Sequence, residues 1–151
     1  MADSTLVTLM PTTFRADLEV LVSRWTGQPP PPQLRPVYVE LTNVALHYGA
    51  RYWLQDIRHR AFNDPETTSW LLSTYFLDMA RQLGGRLHVA YLANPTLLDA
   101  IINTSDFVPA DAYHGSPFTI AFFNSEGAAY EWLAQERRQD QTRQVSRDGA
   151  A

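Results

Sequence analysis

Two short apolar segments, each followed by a helix-start signal, constrain the fold of this 151-residue chain more than any other feature. Residues 51–57 are apolar on both faces of a strand, and Asp64-Pro65 follows them. Residues 87–92 are also apolar, and Asn94-Pro95 follows them. An Asp or Asn before a Pro provides an N-cap and a residue suited to the first helical turn. Because strands that are apolar on both faces are typical of the centre of a parallel sheet, the pattern predicts an α/β protein.

Hydrophobic periodicity predicts the remaining elements. Two alternating segments joined near Arg15 and Ala16 indicate a β-hairpin, and apolar residues at helical spacing indicate helices between the later strands. The predicted strands are residues 6–14, 17–25, 51–57, 87–92 and 117–123, and the predicted helices are residues 34–49, residues 64–83, a short helix from Asn94 and a final helix capped by Asn124 or Ser125. The order β-β-α-β-α-β-α-β-α predicts a mixed β-sheet with helices packed on it.

Length and composition indicate one folded unit without a membrane span. A chain of this length is predicted to form a single α/β domain over residues 1–137, and the polar residues 138–151 are predicted to form a disordered tail. The apolar runs are too short to cross a bilayer. Residues 1–4 lack a basic region and a long apolar stretch, so the sequence predicts no secretory signal and a cytoplasmic location.

The residue types present exclude several kinds of chemistry. The chain has no cysteine, which excludes disulfides, thiolate nucleophiles and cysteine metal sites. All 12 of its cationic side chains are arginine, so neither a lysine Schiff base nor a P-loop lysine can form. A net charge of -4 argues against nucleic-acid binding, and the four histidines show no metal-ligand spacing. We therefore expect no cofactor and no metal.

The strongest candidate site is the polar cluster that follows the strand at residues 51–57. A parallel strand ends there, which is where α/β proteins bind ligands and partners, and the cluster consists of Asp56, Arg58, His59 and Arg60. The arginines supply charge-assisted donors for a partner or an anion, and Trp70 follows in the next helix as a contact residue. A structural alternative is that Asp56 pairs internally with Arg58, because a buried carboxylate must be satisfied. His59 and Arg60 are expected to be exposed.

A second candidate lies in the long segment at residues 104–116. Asp111 and His114 could orient a general base or bind a metal, although such pairs are more often ordinary loop residues. A small-ligand pocket would then lie between this segment and residues 58–64. Three tryptophans could form the face of a homodimer or belong to the core: Trp25, Trp70 and Trp132.

Four short motifs give the chain a resemblance to a known superfamily. They are Arg24-Trp25, Trp53-Leu54-Gln55-Asp56-Ile57-Arg58, Trp70 and Ala129-Tyr130-Glu131-Trp132-Leu133. Together with the order of elements, they resemble the STAS-like fold of the anti-sigma-factor-antagonist superfamily, and they are similar to an uncharacterised bacterial branch of it. The resemblance covers residues 6–135. It implies a mixed sheet with packed helices, and a small regulatory or protein-binding module that is not an enzyme.

The chain departs from that superfamily at the segment that carries its switch. Anti-sigma-factor antagonists have an Asp-Ser-Ser-Gly-like segment after the third strand, and a partner kinase phosphorylates its serine. Residues 58–64 contain neither serine nor threonine, so phosphorylation is not expected there. We therefore expect a non-catalytic, cytoplasmic, regulatory module that binds a protein partner or forms a homodimer. The alternative is a protein that binds a small anion or apolar metabolite, or a weak enzyme, with a pocket at the carboxyl ends of the strands.

Overall fold

The structure, a computed structural model, describes residues 9–60, 65–104 and 107–149, with side chains up to residue 143. Within these ranges the strands are β1 (Thr12–Arg15), β2 (Val20–Arg24), β3 (Tyr52–Asp56), β4 (Leu87–Leu92) and β5 (Phe118–Phe123). The helices are α1 (Pro31–Tyr48), α2 (Pro65–Trp70), α3 (Phe76–Leu83), α4 (Pro95–Ile102) and α5 (Glu126–Gly149). A π-helical turn, Leu71–Tyr75, joins α2 and α3 into one continuous helix, and a 3-10 turn spans Ala110–Tyr113. None of the described helices is both long and apolar enough to cross a bilayer.

The five strands lie in one sheet in the order β1-β2-β3-β4-β5. β1 runs antiparallel to β2, and β2 to β5 run parallel to one another. The predicted α/β fold, with a mixed sheet and helices packed on it, is confirmed, and so is the order of its elements. Each parallel connection advances by one strand in the same direction. Because such crossovers are right-handed, α1, the α2–α3 helix and α4 all lie on one face, which we call the first face.

Large aromatic and aliphatic side chains fill the first face. Trp53 of β3 is fully buried there, and its ring centroid lies 6.5 Å from that of Phe76 in α3. Leu41 from α1 and Leu97 from α4 belong to the same buried cluster. Fully burying a side chain of this kind contributes about 1.5–3 kcal/mol. This layer therefore fixes α1 to α4 on the sheet.

The opposite, second face of the sheet packs against α5. Ala129 and Leu133 of α5 are buried against a row of strand side chains: Val20, Val22, Tyr52, Leu54, Ala90 and Leu92. β3 and β4 are buried along their whole length, because helices cover both of their faces. This double cover explains why neither strand shows the alternation of apolar and polar residues that a half-exposed strand would have.

The second half of α5 corrects the predicted disordered tail at residues 138–151. The helix continues past residue 138, and Asp140 packs against the sheet with its carboxylate largely buried. Tyr52 donates its hydroxyl to Asp140 Oδ2 at 2.7 Å, and His88 Nε2 lies 2.8 Å from the same oxygen. His88 is fully buried, and its Nδ1 lies 3.3 Å from Glu136 Oε1. Asp140 and Glu136 thus face polar partners on the sheet, while most of the described polar residues between and after them are exposed to solvent.

Several predicted helix boundaries are confirmed by their caps. The Asn94 side chain accepts a hydrogen bond from the backbone N–H of Leu97 at 2.8 Å, as its position before a proline predicted. Ser125 Oγ likewise accepts from the backbone of α5 at 3.3 Å. Gly49 ends α1 with a φ of 62°, which is a backbone conformation that favours glycine. Asp64, the predicted cap of α2, lies outside the described residues.

The first hairpin and α1 differ from their predicted limits. The first strand begins at Thr12, and residues 6–8 of the predicted strand lie outside the described residues. α1 begins at Pro31, three residues earlier than predicted, inside the run of prolines. A proline is tolerated in the first helical turn because its missing N–H would have no intrahelical partner there. Pro31 and Pro32 therefore open the helix, whereas Pro30 before them is extended.

The contacts of Asp140 predict how strongly the end of α5 is fixed. Asp140→Ala leaves the Tyr52 hydroxyl and the His88 ring without their acceptor, so the free energy of unfolding should fall by about 1.5–3 kcal/mol in urea denaturation. Gln139→Ala, on the exposed side of the same turn, is the matched control and should change it by less than about 0.5 kcal/mol. Equal effects of the two substitutions would contradict the packing of this part of α5 against the sheet.

The same carboxylate predicts a pH dependence. Burial opposes ionisation of Asp140, but hydrogen bonds from His88 and Tyr52 outweigh it and lower the pKa of Asp140 below its ordinary value. Its stabilisation is therefore present above the unfolded pKa of about 3.9 and is lost as the pH falls through the folded pKa. The stability difference between the natural chain and Asp140→Asn should shrink below about pH 4. A difference that grows there would contradict this account.

Candidate functional site

The carboxyl ends of β2 to β5 meet at one edge of the sheet, which we call the carboxyl edge. Arg24 ends β2 and Asp56 ends β3, and the register of the two strands places these residues side by side. Arg58 follows β3, and Glu126 begins α5 after β5. The sequence predicted a site at this edge because ligands of α/β proteins bind where parallel strands end. The structure brings Arg24, Asp56, Arg58 and Glu126 together in one ion-pair network.

Asp56 is the centre of this network. Arg58 donates from its backbone N–H to Asp56 Oδ1 at 3.1 Å and from Nε to the same oxygen at 3.0 Å, while its Nη2 reaches Oδ2 at 2.8 Å. Arg24 Nη1 donates to Oδ2 at 2.9 Å. The same arginine holds Glu126 with two hydrogen bonds, at 2.9 and 3.1 Å. The predicted internal pairing of Asp56 with Arg58 is therefore present, and Arg24 completes it.

These contacts decide the charge state of Asp56. Its side chain is only 3% exposed, and burial alone would favour the neutral acid. Hydrogen bonds from Arg58 and Arg24 outweigh burial and hold the pKa of Asp56 below its ordinary value. Both oxygens already accept charge-assisted hydrogen bonds. An ionised and saturated carboxylate of this kind anchors a structure and is poorly suited to abstract a proton.

Arg60 corrects the expectation of an exposed side chain. It is only 6% exposed, and its guanidinium lies 4.6 Å from the centroid of the Trp25 ring on the first face. Its backbone N–H donates to the carbonyl of Ile57 at 3.0 Å, and this turn directs the side chain inward. Burial raises the pKa of Tyr38, and the nearby charge of Arg60 acts in the opposite direction. Arg60 therefore belongs to the aromatic interior of the first face. His59 is exposed, as predicted.

Polar atoms also lie beneath this turn. Trp25 Nε1 donates to Gln55 Oε1 at 3.0 Å, and both side chains are buried. Gln55 Nε2 is buried without a partner in hydrogen-bonding geometry among the described residues, while Tyr38 lies close to Tyr91 and Arg60. Gln55 and Tyr91 are neighbours in register on β3 and β4. The interior behind the carboxyl edge is thus polar as well as aromatic.

Trp70 is packed more closely than a free contact residue would be. It is half-buried, with ring centroids 5.7 Å from Tyr38 and 5.2 Å from Tyr75, and the Arg35 guanidinium covers it at 4.7 Å. Among the other candidates for a dimer face, Trp25 is buried in the first-face core, while Trp132 packs against the cluster on the second face. The tryptophans therefore serve mainly as core residues in the described chain.

Asp111 and His114 lie at the opposite edge of the sheet from Asp56. The carbonyl of Tyr113, between them, accepts from Arg86 Nη2 at 2.8 Å, and Arg86 directly precedes β4. The backbone N–H of His114 donates to the carbonyl of Asp111 at 3.2 Å, and both residues are exposed. The structure therefore does not bring this pair to the carboxyl edge, where the sequence placed one wall of a pocket.

Neither of the two best-formed grooves of the described residues lies at the carboxyl edge. Of the two best-formed grooves among the described residues, one of about 540 Å³ lies between β1 and α1. The other, of about 380 Å³, lies along the outer side of α5. The carboxyl edge is filled by its own arginines and acidic residues, so it presents a charged surface.

Sequence analysis missed Arg24, Glu126 and His88 as members of polar clusters. Arg24 stands next to Asp56 only because β2 and β3 pair in parallel, so a strand-pairing argument would have identified it. The carboxylates around His88 approach different ring nitrogens, with Asp140 at Nε2 and Glu136 at Nδ1. Within residues 9–60, 65–104 and 107–143, no group of three or more histidine, aspartate or glutamate side chains could hold a metal ion.

Comparison with protein-family models, curated proteins and solved structures finds no match to this chain. The resemblance to the STAS-like fold therefore stays a prediction. The observed order of elements agrees with the order predicted from hydrophobic periodicity, and many α/β proteins share such an order. Function must accordingly be inferred from the geometry of the site.

The network around Asp56 predicts that Asp56→Asn changes the free energy of unfolding in opposite directions with and without the two arginines. In the natural chain, Asp56→Asn should lower the free energy of unfolding by about 1–3 kcal/mol, because charge-assisted hydrogen bonds are lost. In a chain carrying Arg24→Ala and Arg58→Ala, the same substitution should raise it, because it removes a buried and uncompensated charge. Urea denaturation of the four chains measures both effects. The same sign in both backgrounds would show that the arginines do not compensate Asp56.

Proposed function

We propose that this protein is a non-catalytic, cytoplasmic, regulatory module of the STAS-like type, which binds a protein partner through its carboxyl edge. The proposed contact surface consists of Arg24, Arg58, His59 and Glu126, and we call it the edge surface. The observation that carries the proposal is the saturated state of Asp56. The buried carboxylate at the position typical of α/β active sites is committed to holding two arginines in place.

The exposure of the arginines supports this role. The side chains of Arg24 and Arg58 are 41% and 44% exposed, although each is hydrogen-bonded to Asp56. An arginine already held in one conformation loses little side-chain entropy when a partner binds. Exposed donors beside the Glu126 carboxylate give a pattern of both charges, which favours orientation and selectivity at an interface. A partner with a complementary arrangement of acidic and basic groups would match it.

The position of the two best-formed grooves of the described residues also favours a protein partner over a small substrate. A small ligand is generally held in a concave site that covers most of its surface. The two best-formed grooves of the described residues lie elsewhere, and the arginines fill the edge itself. A protein, by contrast, can bind an exposed and charged surface of this kind.

A second candidate function is the binding of a small hydrogen-bond acceptor behind the edge. The observation that favours it is a buried amide nitrogen, Gln55 Nε2, which has no hydrogen-bond partner among the described residues. Buried polar groups are normally satisfied by protein, water or a ligand. Native mass spectrometry of the purified protein distinguishes the two, since a retained small molecule that is lost in Gln55→Leu would favour the ligand.

His59 provides the most direct test of the edge surface, because it is exposed and makes no described side-chain contact with Asp56. A photo-cross-linking amino acid can replace His59 in living cells that express the protein. Irradiation of these cells should give one defined protein adduct, from which the partner can be identified. With that partner purified, His59→Asp should weaken binding by about tenfold, or ~1.4 kcal/mol, in calorimetry without changing thermal stability.

His114→Asp is the matched control, since it places the same change on an exposed histidine at the other edge of the sheet. It should leave the affinity unchanged. If both substitutions act equally, or if position 59 gives no more adduct than position 114, the edge surface is not the binding site.

A further inference from the structure

The outer side of α1 carries an apolar stripe that the core does not use. The buried side of this helix holds Leu34, Val37, Tyr38, Leu41 and Ala45. On the opposite side, Pro36, Val39, Asn43 and Leu46 are all exposed. Their spacing of three, four and three residues aligns them along one line of the helix. Val39 is 60% exposed and Leu46 is 39% exposed.

A stripe of this kind is unusual on a solvent-facing helix. A surface helix normally places charged residues opposite its buried side, because only one side contacts the core. None of the four residues of the stripe is charged. The groove between β1 and α1 adjoins the stripe, because Asn43 lines both, and the exposed Tyr48 lines the groove further along. The outer side of α1 therefore carries a line of exposed, uncharged side chains beside the exposed Arg35 and His47.

We propose that a second copy of this chain covers the stripe, with α1 of the two copies antiparallel about a two-fold axis at Asn43. The stripe is nearly symmetric about this residue, since Val39 and Leu46 stand ~6 Å and ~4.5 Å from it along the helix axis. A two-fold axis at Asn43 therefore brings Val39 of each copy onto Leu46 of the other. A surface that matches itself in this way is the requirement for a symmetric dimer.

Polar groups match under the same axis. The two Asn43 amides meet at the centre, where each can donate to and accept from the other, and a polar pair of this kind fixes the register of paired helices. Glu40 of each copy comes opposite His47 of the other, which places a carboxylate beside an imidazole. A partner of different sequence would need to reproduce all of these positions, whereas a second copy supplies them by symmetry. This inference is independent of the proposed function of the carboxyl edge.

The natural absence of cysteine makes disulfide cross-linking a direct test. Asn43→Cys places one thiol on the two-fold axis, and the covalent dimer should form under mild oxidation about tenfold faster than through random collision. Gln139→Cys, on the exposed side of α5, is the control for random collision. Adding Val39→Glu to Asn43→Cys should reduce the rate to that of the control.

Two further measurements keep the proposal open to contradiction. A mixture of Val39→Cys and Leu46→Cys chains should cross-link faster than either chain alone, because the helices are antiparallel. Sedimentation equilibrium of the natural chain should show a dimer that dissociates on dilution, and Val39→Glu should remain monomeric. A natural chain that stays monomeric at high concentration, or Asn43→Cys that reacts no faster than the control, would overturn the proposal.

Discussion

The strand order β1-β2-β3-β4-β5 is the constraint on which the rest of the structure depends. Each right-handed crossover moves one strand further in the same direction, so α1 to α4 must all lie on the first face. The second face of the parallel strands carries a smaller apolar cluster that also needs a cover of its own. α5 provides that cover, and it must lie along the sheet to do so. The contacts of the last helix with the sheet follow from this requirement.

Polar contacts fix α5 at both ends of the second face. At the carboxyl edge, Glu126 in the first turn of α5 binds Arg24, which also holds Asp56. At the opposite end, Asp140 accepts from Tyr52 and contacts His88. Apolar residues pack between these two points. The charged surface that we propose as the binding site is therefore continuous with the contacts that hold the last helix in place.

Local sequence signals predicted those features that depend on neighbouring residues. The limits of β4 are as predicted because its apolar run is unbroken, and α4 starts as predicted because Asn94 caps it. The burial of Arg60 was missed because its aromatic cover comes from Trp25, far away in sequence. The predicted disordered tail was wrong for the same reason, since the partners of Asp140 lie 52 and 88 residues away in the chain. Composition indicates exposure of a polar segment but does not reveal a polar partner on the sheet.

The central claim is that Asp56 is an ionised structural anchor and not a catalytic acid or base. The most direct measurement is the pH titration of its carboxyl carbon by nuclear magnetic resonance in the folded protein. Our account predicts a pKa below the ordinary value for aspartate, about 3.9, because Arg58 and Arg24 stabilise the ionised form more than burial destabilises it. A pKa above that value would contradict the account, since it would mean that burial outweighs the two arginines and favours the neutral acid.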